Sequence, residues 1–522
     1  MEYLISGGIF YAQQIGERIG SEDHWIDFFV CFLQFIPFRG VFFMPKCAVI
    51  SLGCPKNLVD SEQMLGLLRQ DGFEPCYAVE DAEVVIINTC GFLAASREEG
   101  LENIREMEAL REDPDSLLRC LIVAGCLVSR DKEALVKQCP SVDAFLDVFS
   151  RDSVLEAVKK VFSPLGGEVS GEKIEKMEKT EKTKPLGERY FEQCPGIASD
   201  RNRFPLLPPH IAYLKIAEGC NRRCAFCAIP NIRGKFTSKP MTEIVEEARR
   251  LAESGVKELI LIAQDTSFYG MDLRNSDGSR TNDTLADLLP LLSAVEGIRW
   301  IRVQYLYPQN FGEDLITALA ETPKVVPYID MPLQHINDRI LHEMRRSAGR
   351  EETLALLSRL RERIPELAVR TAFIAGFPGE TKAEFEELLA FLRKQKFEHA
   401  AVFQFSPEEG TPAAEMERQV PFKVSLKRTN ELLETQKRVS AEWTRRQVGK
   451  RLEVLIDAEL SEPGTYVGHT QFGAPEIDGN VYVTLPEDPP LAENGLTVGE
   501  FYFCEIVDCD EYDLYAIPVD GE

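Results

Sequence analysis

The stretch "AEGCNRRCAFCAIP", Ala217–Pro230, carries three cysteines, Cys220, Cys224 and Cys227, in a CxxxCxxC spacing. Thiolates are soft ligands that select zinc, copper(I) or iron–sulfur clusters. A structural zinc site closes with four ligands, and neither a Cys nor a His follows closely after Cys227 to supply the fourth. A disulfide takes cysteines in pairs. Three thiolates in such a short span therefore point to a metal centre with one coordination position open. A [4Fe–4S] cluster with one free iron meets that description better than zinc does.

Three more cysteines stand in another pattern. Cys54 ends the run "CAVISLGC", Cys90 ends "AEVVIINTC" and Cys126 ends "CLIVAGC", 36 residues apart each time. Each run is short and apolar, and each is followed by a helical pattern such as "NLVDSEQMLGLLRQDG". Apolar runs alternating with helices predict βα units and a parallel sheet. The carboxyl ends of such strands share one edge, where ligands bind. Cys54, Cys90 and Cys126 are therefore expected to converge.

The elements that must position the first trio begin at "IAYLKIAEGC". Apolar runs follow in "ELILIAQD", "IRVQYL", "VPYIDMPL", "LAVRTAFIAGF" and "AAVFQFSP", with helical stretches between them. Six such units suffice for an open or partial (β/α) barrel, whose site is built from the carboxyl ends of its strands. Gln264, Asp265, Gln304, Gln334, His335 and Arg370 are read at those ends. His335 reads more readily as a satisfied core histidine than as a catalytic one. "GFPGETKAEF", with Gly376 and Gly379, reads as a strand-to-helix turn in which Thr381 and Glu384 fit a capping box. From about Arg446 short strands separated by Gly, Pro and Asp turns predict a small antiparallel barrel. Between the two α/β series, "GGEVSGEKIEKMEKTEKTKPLGE" has the composition of a linker.

At 522 residues, 44% hydrophobic and 28% charged, the chain reads as a soluble globular protein of about two to four domains. Its net charge of -26 argues against a protein built mainly to hold nucleic acid, which needs clustered Lys and Arg. An acidic protein suits a basic partner. Fourteen cysteines without the ordered parts of a signal peptide fit cytoplasmic thiols and metal ligation. Ile26–Phe43 is apolar but is broken by Pro37 and Arg39, which makes it a poor membrane span. Met44 reads as the natural start, with residues 1–43 an upstream extension.

CxxxCxFC, with Phe226 before the last cysteine, resembles the signature of the radical S-adenosylmethionine (SAM) enzymes. "SLGCPKN", "INTCGF" and "VAGCL" resemble the N-terminal motifs of the methylthiotransferases within that superfamily. The resemblance covers nearly the whole chain from Met44 onward. It implies an α/β class: an N-terminal parallel α/β domain (45–165), a linker (166–205), a central partial (β/α)6 radical SAM barrel (206–445) and a C-terminal small antiparallel β-barrel, the TRAM domain (446–522). It implies two [4Fe–4S] clusters, one on Cys220, Cys224 and Cys227 and an auxiliary one on Cys54, Cys90 and Cys126, together with SAM. In that family SAM binds the open iron of the barrel cluster and is cleaved to a radical, while sulfur sits at the open iron of the other cluster. Phe226, Gln264, Gln304, Arg370, Gly376 and Gly379 are the expected SAM contacts. Cys120 begins its run rather than ending it, and Cys31, Cys47, Cys76, Cys139, Cys194, Cys504 and Cys509 read as packing residues.

Two branches of the family share this chemistry. One modifies an adenosine in tRNA; the other modifies the β-carbon of an aspartate in small-subunit ribosomal protein twelve. "AQDTSFYG", "DMPLQH", "APEIDG" and "DEYDLYA" resemble the ribosomal branch. Charge argues the same way: residues 446–522 hold three basic and seventeen acidic side chains, which suits a basic ribosomal protein. The expected partners are that protein and an electron donor such as flavodoxin or ferredoxin, with no stable nucleic-acid binding, no membrane and a cytoplasmic location. A non-catalytic iron–sulfur scaffold or sensor is the alternative from another class, and the polar strand ends of a six-unit barrel argue against it.

Overall fold

The computed structural model describes residues 44–162, 189–191 and 199–519, apart from 276, 282, 310 and 487–494. The expected extension, most of the linker, Ile26–Phe43, Cys31 and Cys194 lie outside the described residues. The chain divides into two compact units, the second running essentially from Pro205 to the end.

The first unit is a parallel sheet of β1 (Lys46–Ser51), β2 (Glu74–Pro75), β3 (Val84–Thr89), β4 (Cys120–Gly125), β5 (Ala144–Leu146) and β6 (Tyr190–Phe191) in the order β2-β1-β3-β4-β5-β6. Every residue of β3 and β4 is buried, as a strand covered on both faces requires. Helices α1 (Pro55–Gln70), α2 (Ala94–Glu112), α3 (Cys126–Gln138) and α4 (Val154–Phe162) complete the unit.

In the second unit β7 (Ile211–Lys215) leads to a short antiparallel pair, β8 (Ala217–Glu218) and β9 (Thr237–Ser238), and then to β10 (Glu258–Ile262), β11 (Trp300–Val303), β12 (Val325–Asp330), β13 (Ala368–Ala375) and β14 (His399–Gln404). The six main strands pair in parallel in chain order, β7 to β14, an open (β/α)6 sheet. Side chains alternate along each strand. Leu214, Leu259, Leu261, Ile301, Val303, Ile329, Val369 and Phe373 join the apolar layer beneath the helices, so Tyr213, Lys215, Arg302, Tyr328, Asp330 and Arg370 take the inner face.

The strands β15 (Arg451–Glu459), β16 (Thr465–Thr470), β17 (Val481–Thr484), β18 (Phe501–Cys509) and β19 (Leu514–Pro518) close into a small barrel. It departs from the expected antiparallel plan at one seam, where β17 and β19 run parallel. That parallel seam is what lets a five-stranded barrel close, since an odd ring of strands cannot alternate in direction throughout.

The small barrel is fastened to the amino ends of the inner strands. Arg302, fully buried, donates to Glu258 Oε1 at 2.7 Å and to the carbonyls of Gln471 (3.0 Å) and Thr470 (3.2 Å). The His469 ring lies between Glu258 Oε2 (2.5 Å) and Asp457 Oδ2 (2.7 Å). Burial alone would lower its pKa; the two carboxylates outweigh burial and push it up to about 9. Asp478 accepts from the Tyr328 hydroxyl (2.8 Å) and the backbone N–H of Ala474 (2.9 Å), and lies 3.3 Å from Arg370 Nε.

Candidate metal centres

Parallel β1, β3 and β4 are neighbours in the first sheet, and one cysteine follows each. Cys54 precedes α1, Cys90 follows β3 directly, and Cys126 is the first residue of α3. The backbone between them is drawn close. Gly53 has φ +93°, and a Cβ there would fall 2.7 Å from the Cβ of Cys90. A Cβ on Gly91 would fall 2.6 Å from the carbonyl oxygen of Cys126. Asn57 ties the same edge together: its Nδ2 donates to the carbonyls of Leu52 and Thr89, both at 2.9 Å, and Cys126 Sγ lies 3.6 Å from its Oδ1. Larger side chains would force these turns apart, so the glycines leave a cradle around three thiols.

The second trio lies on the loop between β8 and the short helix α5 (Ile229–Arg233). The loop leaves β8 through Gly219, whose φ is +78°, and a Cβ there would meet the Lys235 carbonyl at 2.3 Å. The Cys220 N–H donates to Gly234 O at 3.1 Å, and the Cys227 N–H to Cys224 O at 3.2 Å. Between the cysteines, Ala225 donates to Met344 O (2.9 Å) and accepts from the Ala413 N–H (2.8 Å). Burial pushes the Cys220 thiol up to about 11 and Cys227 up to about 12. Metal charge is what would hold them as thiolates. Among the described residues no group of three or more His, Cys, Asp or Glu could hold a single metal ion. A four-iron cluster asks for something else, one thiolate to each of three irons.

The remaining expected residues fall in two places. Phe226 packs against Ala225, Ile340, Met344, Ile374 and Phe377. Gln264 lies just beyond β10, with its Nε2 donating to Glu218 Oε1 at 2.7 Å and its buried Oε1 without a hydrogen-bond partner. Gln304, directly after β11, is fully buried with neither amide atom hydrogen-bonded. Unmet buried amides are costly, and these stand open to a polar ligand such as SAM, Gln264 beside Glu218 at the start of the cysteine loop and Gln304 after the neighbouring strand β11. His335 Nδ1 accepts from the Asn337 N–H at 3.0 Å, while burial lowers its pKa to about 3 and keeps it neutral; its buried Nε2 has no hydrogen-bond partner, so it is a core histidine only half satisfied. In "GFPGE" the N–H groups of Gly376 (2.6 Å) and Phe377 (3.2 Å) are both taken by Glu380, Gly379 donates to Arg418 O, and Thr381 with Glu384 forms the capping box.

Arg370 is a correction. It is the third residue of β13, not the last, and its guanidinium pairs with Asp330 (3.0 Å) and Asp478 (3.3 Å) at the attachment of the small barrel. Two carboxylates already balance its charge there. Sequence reasoning missed Glu218, Lys215 and Arg233, which form a buried ionic group around the cysteine loop. A charged pair, Lys215 and Glu218, within the apolar run "IAYLKIAEGC" was the available signal.

Residues 46–147 match the model of the uncharacterized protein family UPF0004, residues 214–392 that of the radical SAM superfamily, and residues 448–519 that of the TRAM domain. The ribosomal protein uS12 methylthiotransferase RimO of Lachnoclostridium phytofermentans is 41% identical over 469 residues, covering 90% of this chain and 99% of its own. Its namesake in Desulforamulus reducens is 39% identical over 472 residues, with the same coverage. The one in Bdellovibrio bacteriovorus is 40% identical over 470 residues, covering 90% of this chain and 96% of its own.

Proposed function

The chain belongs to the family of the ribosomal protein uS12 methylthiotransferases, and from that premise we propose that it places a methylthio group on the β-carbon of an aspartate in that protein. The observation that carries the reading is likeness over about nine-tenths of the chain to relatives of that one name, with family models matching the segments that hold both cysteine trios and the small barrel.

Cys220, Cys224 and Cys227 would hold the radical SAM cluster, and Cys54, Cys90 and Cys126 the auxiliary one. The first cluster supplies the electron that cleaves SAM, and the second a site for the transferred sulfur. The protein's own work is placement. The loop hydrogen bonds at Cys220, Ala225 and Cys227 set the thiols, and the buried amides of Gln304 and Gln264 offer a donor and acceptors to a polar ligand. The network from Glu258 to Asp478 shuts water out of the barrel's amino end. Domain limits of 45–165, 206–445 and 446–522 fit this division of labour, with 166–205 as the linker.

Within 446–522, Asp457, Asp478, Glu453 and Glu500 pair with His210, Arg370, Arg299 and Lys257 at the attachment to the main strands. The excess of seventeen acidic over three basic side chains in 446–522 suits attraction of a basic protein and repulsion of tRNA phosphates. The electron would come from a flavodoxin or ferredoxin in the cytoplasm. No helix among the described residues is long and apolar enough to cross a membrane.

Anaerobic reconstitution tests the reading. About eight irons per chain are expected, as two four-iron clusters require, with reductant-dependent release of 5′-deoxyadenosine. Purified uS12 and tRNA offered in parallel should show the methylthio mass gain on uS12. A gain on tRNA alone refutes the substrate assignment, and four irons or no SAM cleavage refutes the enzyme.

A further inference from the structure

The cysteine loop begins at Gly219 and ends at Gly234, and the residues just outside and inside those ends, Glu218 and Arg233, meet. Arg233 Nη1 lies 3.0 Å from both oxygens of the Glu218 carboxylate. Lys215 Nζ approaches the same carboxylate at 3.2 Å, Gln264 Nε2 at 2.7 Å and the Gly219 N–H at 3.2 Å. All four side chains belong to different segments: Lys215 ends β7, Glu218 ends β8, Arg233 ends α5, and Gln264 follows β10. Arg233 is 1% exposed, Lys215 2% and Glu218 6%. Burial would raise the Glu218 pKa, but Arg233 and Lys215 outweigh it and hold the carboxyl far below its usual range. Glu218 thus receives side-chain donors from three other segments of the chain.

We infer that Glu218 is a positioning residue for the radical SAM site: its carboxylate clamps the two ends of the cysteine loop through Arg233 and fixes which end of the Gln264 amide faces the site. The second part follows from hydrogen-bond chemistry. The Gln264 Nε2 meets Glu218 Oε1 at 2.7 Å, which turns the Gln264 Oε1 the other way. That leaves Oε1 as a buried acceptor without a partner, suited to a ligand's ammonium group. An amide at position 218 would meet Gln264 with either end and would take away the carboxylate that Arg233 and Lys215 both approach. The clamp also explains why neither Arg233 nor Lys215 is solvent-exposed although both are charged, since each lies within reach of the same carboxylate.

The inference rests on reading Cys220, Cys224 and Cys227 as the ligands of the SAM-binding cluster. The full chain with Glu218→Gln and Glu218→Asp would be purified and compared with wild type in two measurements. Hydrogen exchange of the metal-free protein should rise at least tenfold over residues 219–234 in Glu218→Gln and less in Glu218→Asp, which keeps the charge. After reconstitution, the SAM concentration that half-saturates the change in the reduced cluster's electron paramagnetic resonance signal should rise at least tenfold in Glu218→Gln. Glu218→Asp should restore most of that affinity. Unchanged exchange together with unchanged SAM affinity in Glu218→Gln overturns the inference. So does an Asp variant no better than Gln. If Glu218→Gln does not fold, Arg233→Lys, which keeps the charge but not the contact with both oxygens, must show the same rise in exchange or the clamp is wrong. Wild-type protein that binds no iron on the barrel trio would instead remove the reading beneath it, because the exchange measurement needs no metal.

Discussion

Glu258→Gln tests the attachment between the small barrel and the inner strands. Glu258 and Arg302 are both fully buried, and one carboxylate serves both Arg302 and His469. Gln keeps the volume and one acceptor but removes the charge. Arg302 would retain only the carbonyls of Thr470 and Gln471 and the face of Tyr328, 4.8 Å from its guanidinium. Breaking a buried pair by neutralising one partner costs about 3–5 kcal/mol. His469 can shed its proton in response, which places the expectation at the lower end. With an unfolding entropy of roughly 2.1 cal/mol/K per residue, a unit of about 300 residues should lose about 5–7 °C in Tm. Anaerobic calorimetry of the full chain reads that shift, and the Glu258→Gln, Arg302→Gln double variant reads the coupling. The coupling should be about 2 kcal/mol or more, because the second change removes the cation that the first one stranded. A shift below about 1 °C, or a double variant that is simply additive, would refute the claim that this pair holds the small barrel.

The pKa of His469 gives the attachment a pH dependence. Its folded value of about 9 lies above the unfolded value of about 6.5, so its stabilisation is complete below pH about 6.5 and is lost as pH rises through about 9. Thermal unfolding should show a decline across that window that His469→Gln flattens. Gly53→Ala should displace Cys90, because the residue has φ +93° and the new Cβ would lie 2.7 Å from Cys90 Cβ; the backbone term alone is about 1–2 kcal/mol. In a chain whose barrel cysteines are replaced by alanine, the remaining iron should fall from about four per chain toward none, and retained iron would show that the cradle tolerates the methyl group. Thr381→Ala removes the cap of the helix over Lys382–Gln395 and should cost about 1 kcal/mol, read by denaturant unfolding, with SAM affinity unchanged.

The two trios were legible for different physical reasons. Cys220, Cys224 and Cys227 are local, and their spacing alone speaks for shared metal. Cys54, Cys90 and Cys126 are distant, but each ends an apolar run, and the geometry of a parallel sheet carries every strand end to one edge. The small barrel's attachment was not legible, because its partners lie far apart in the chain: Glu258 meets His469, and Arg302 meets Thr470 and Gln471. No local pattern announces such pairs.

Arg370 shows where the reading went astray. In a parallel barrel a polar inner residue late in a strand faces the site, and one early in a strand faces the opposite end. Gln264 and Gln304 lie beyond the last residues of β10 and β11, and both keep unpartnered amide atoms. Arg370 lies third in an eight-residue strand, and its charge is balanced by Asp330 and Asp478. The run "LAVRTAFIAGF" does not mark where its strand begins, so the arginine's residue type suggested a strand-end ligand where two carboxylates already take its guanidinium. Partners decide where position does not: Arg302 is third of four in β11 and Asp330 last in β12, yet both are matched within the protein. Early position places Glu258, first in β10, and His399, first in β14, at the end held by the small barrel. Late position alone does not leave a group for a ligand either: Lys215, last in β7, and Asp330, last in β12, are matched by Glu218 and Arg370, so it is the unpartnered amides of Gln264 and Gln304 that single those two residues out.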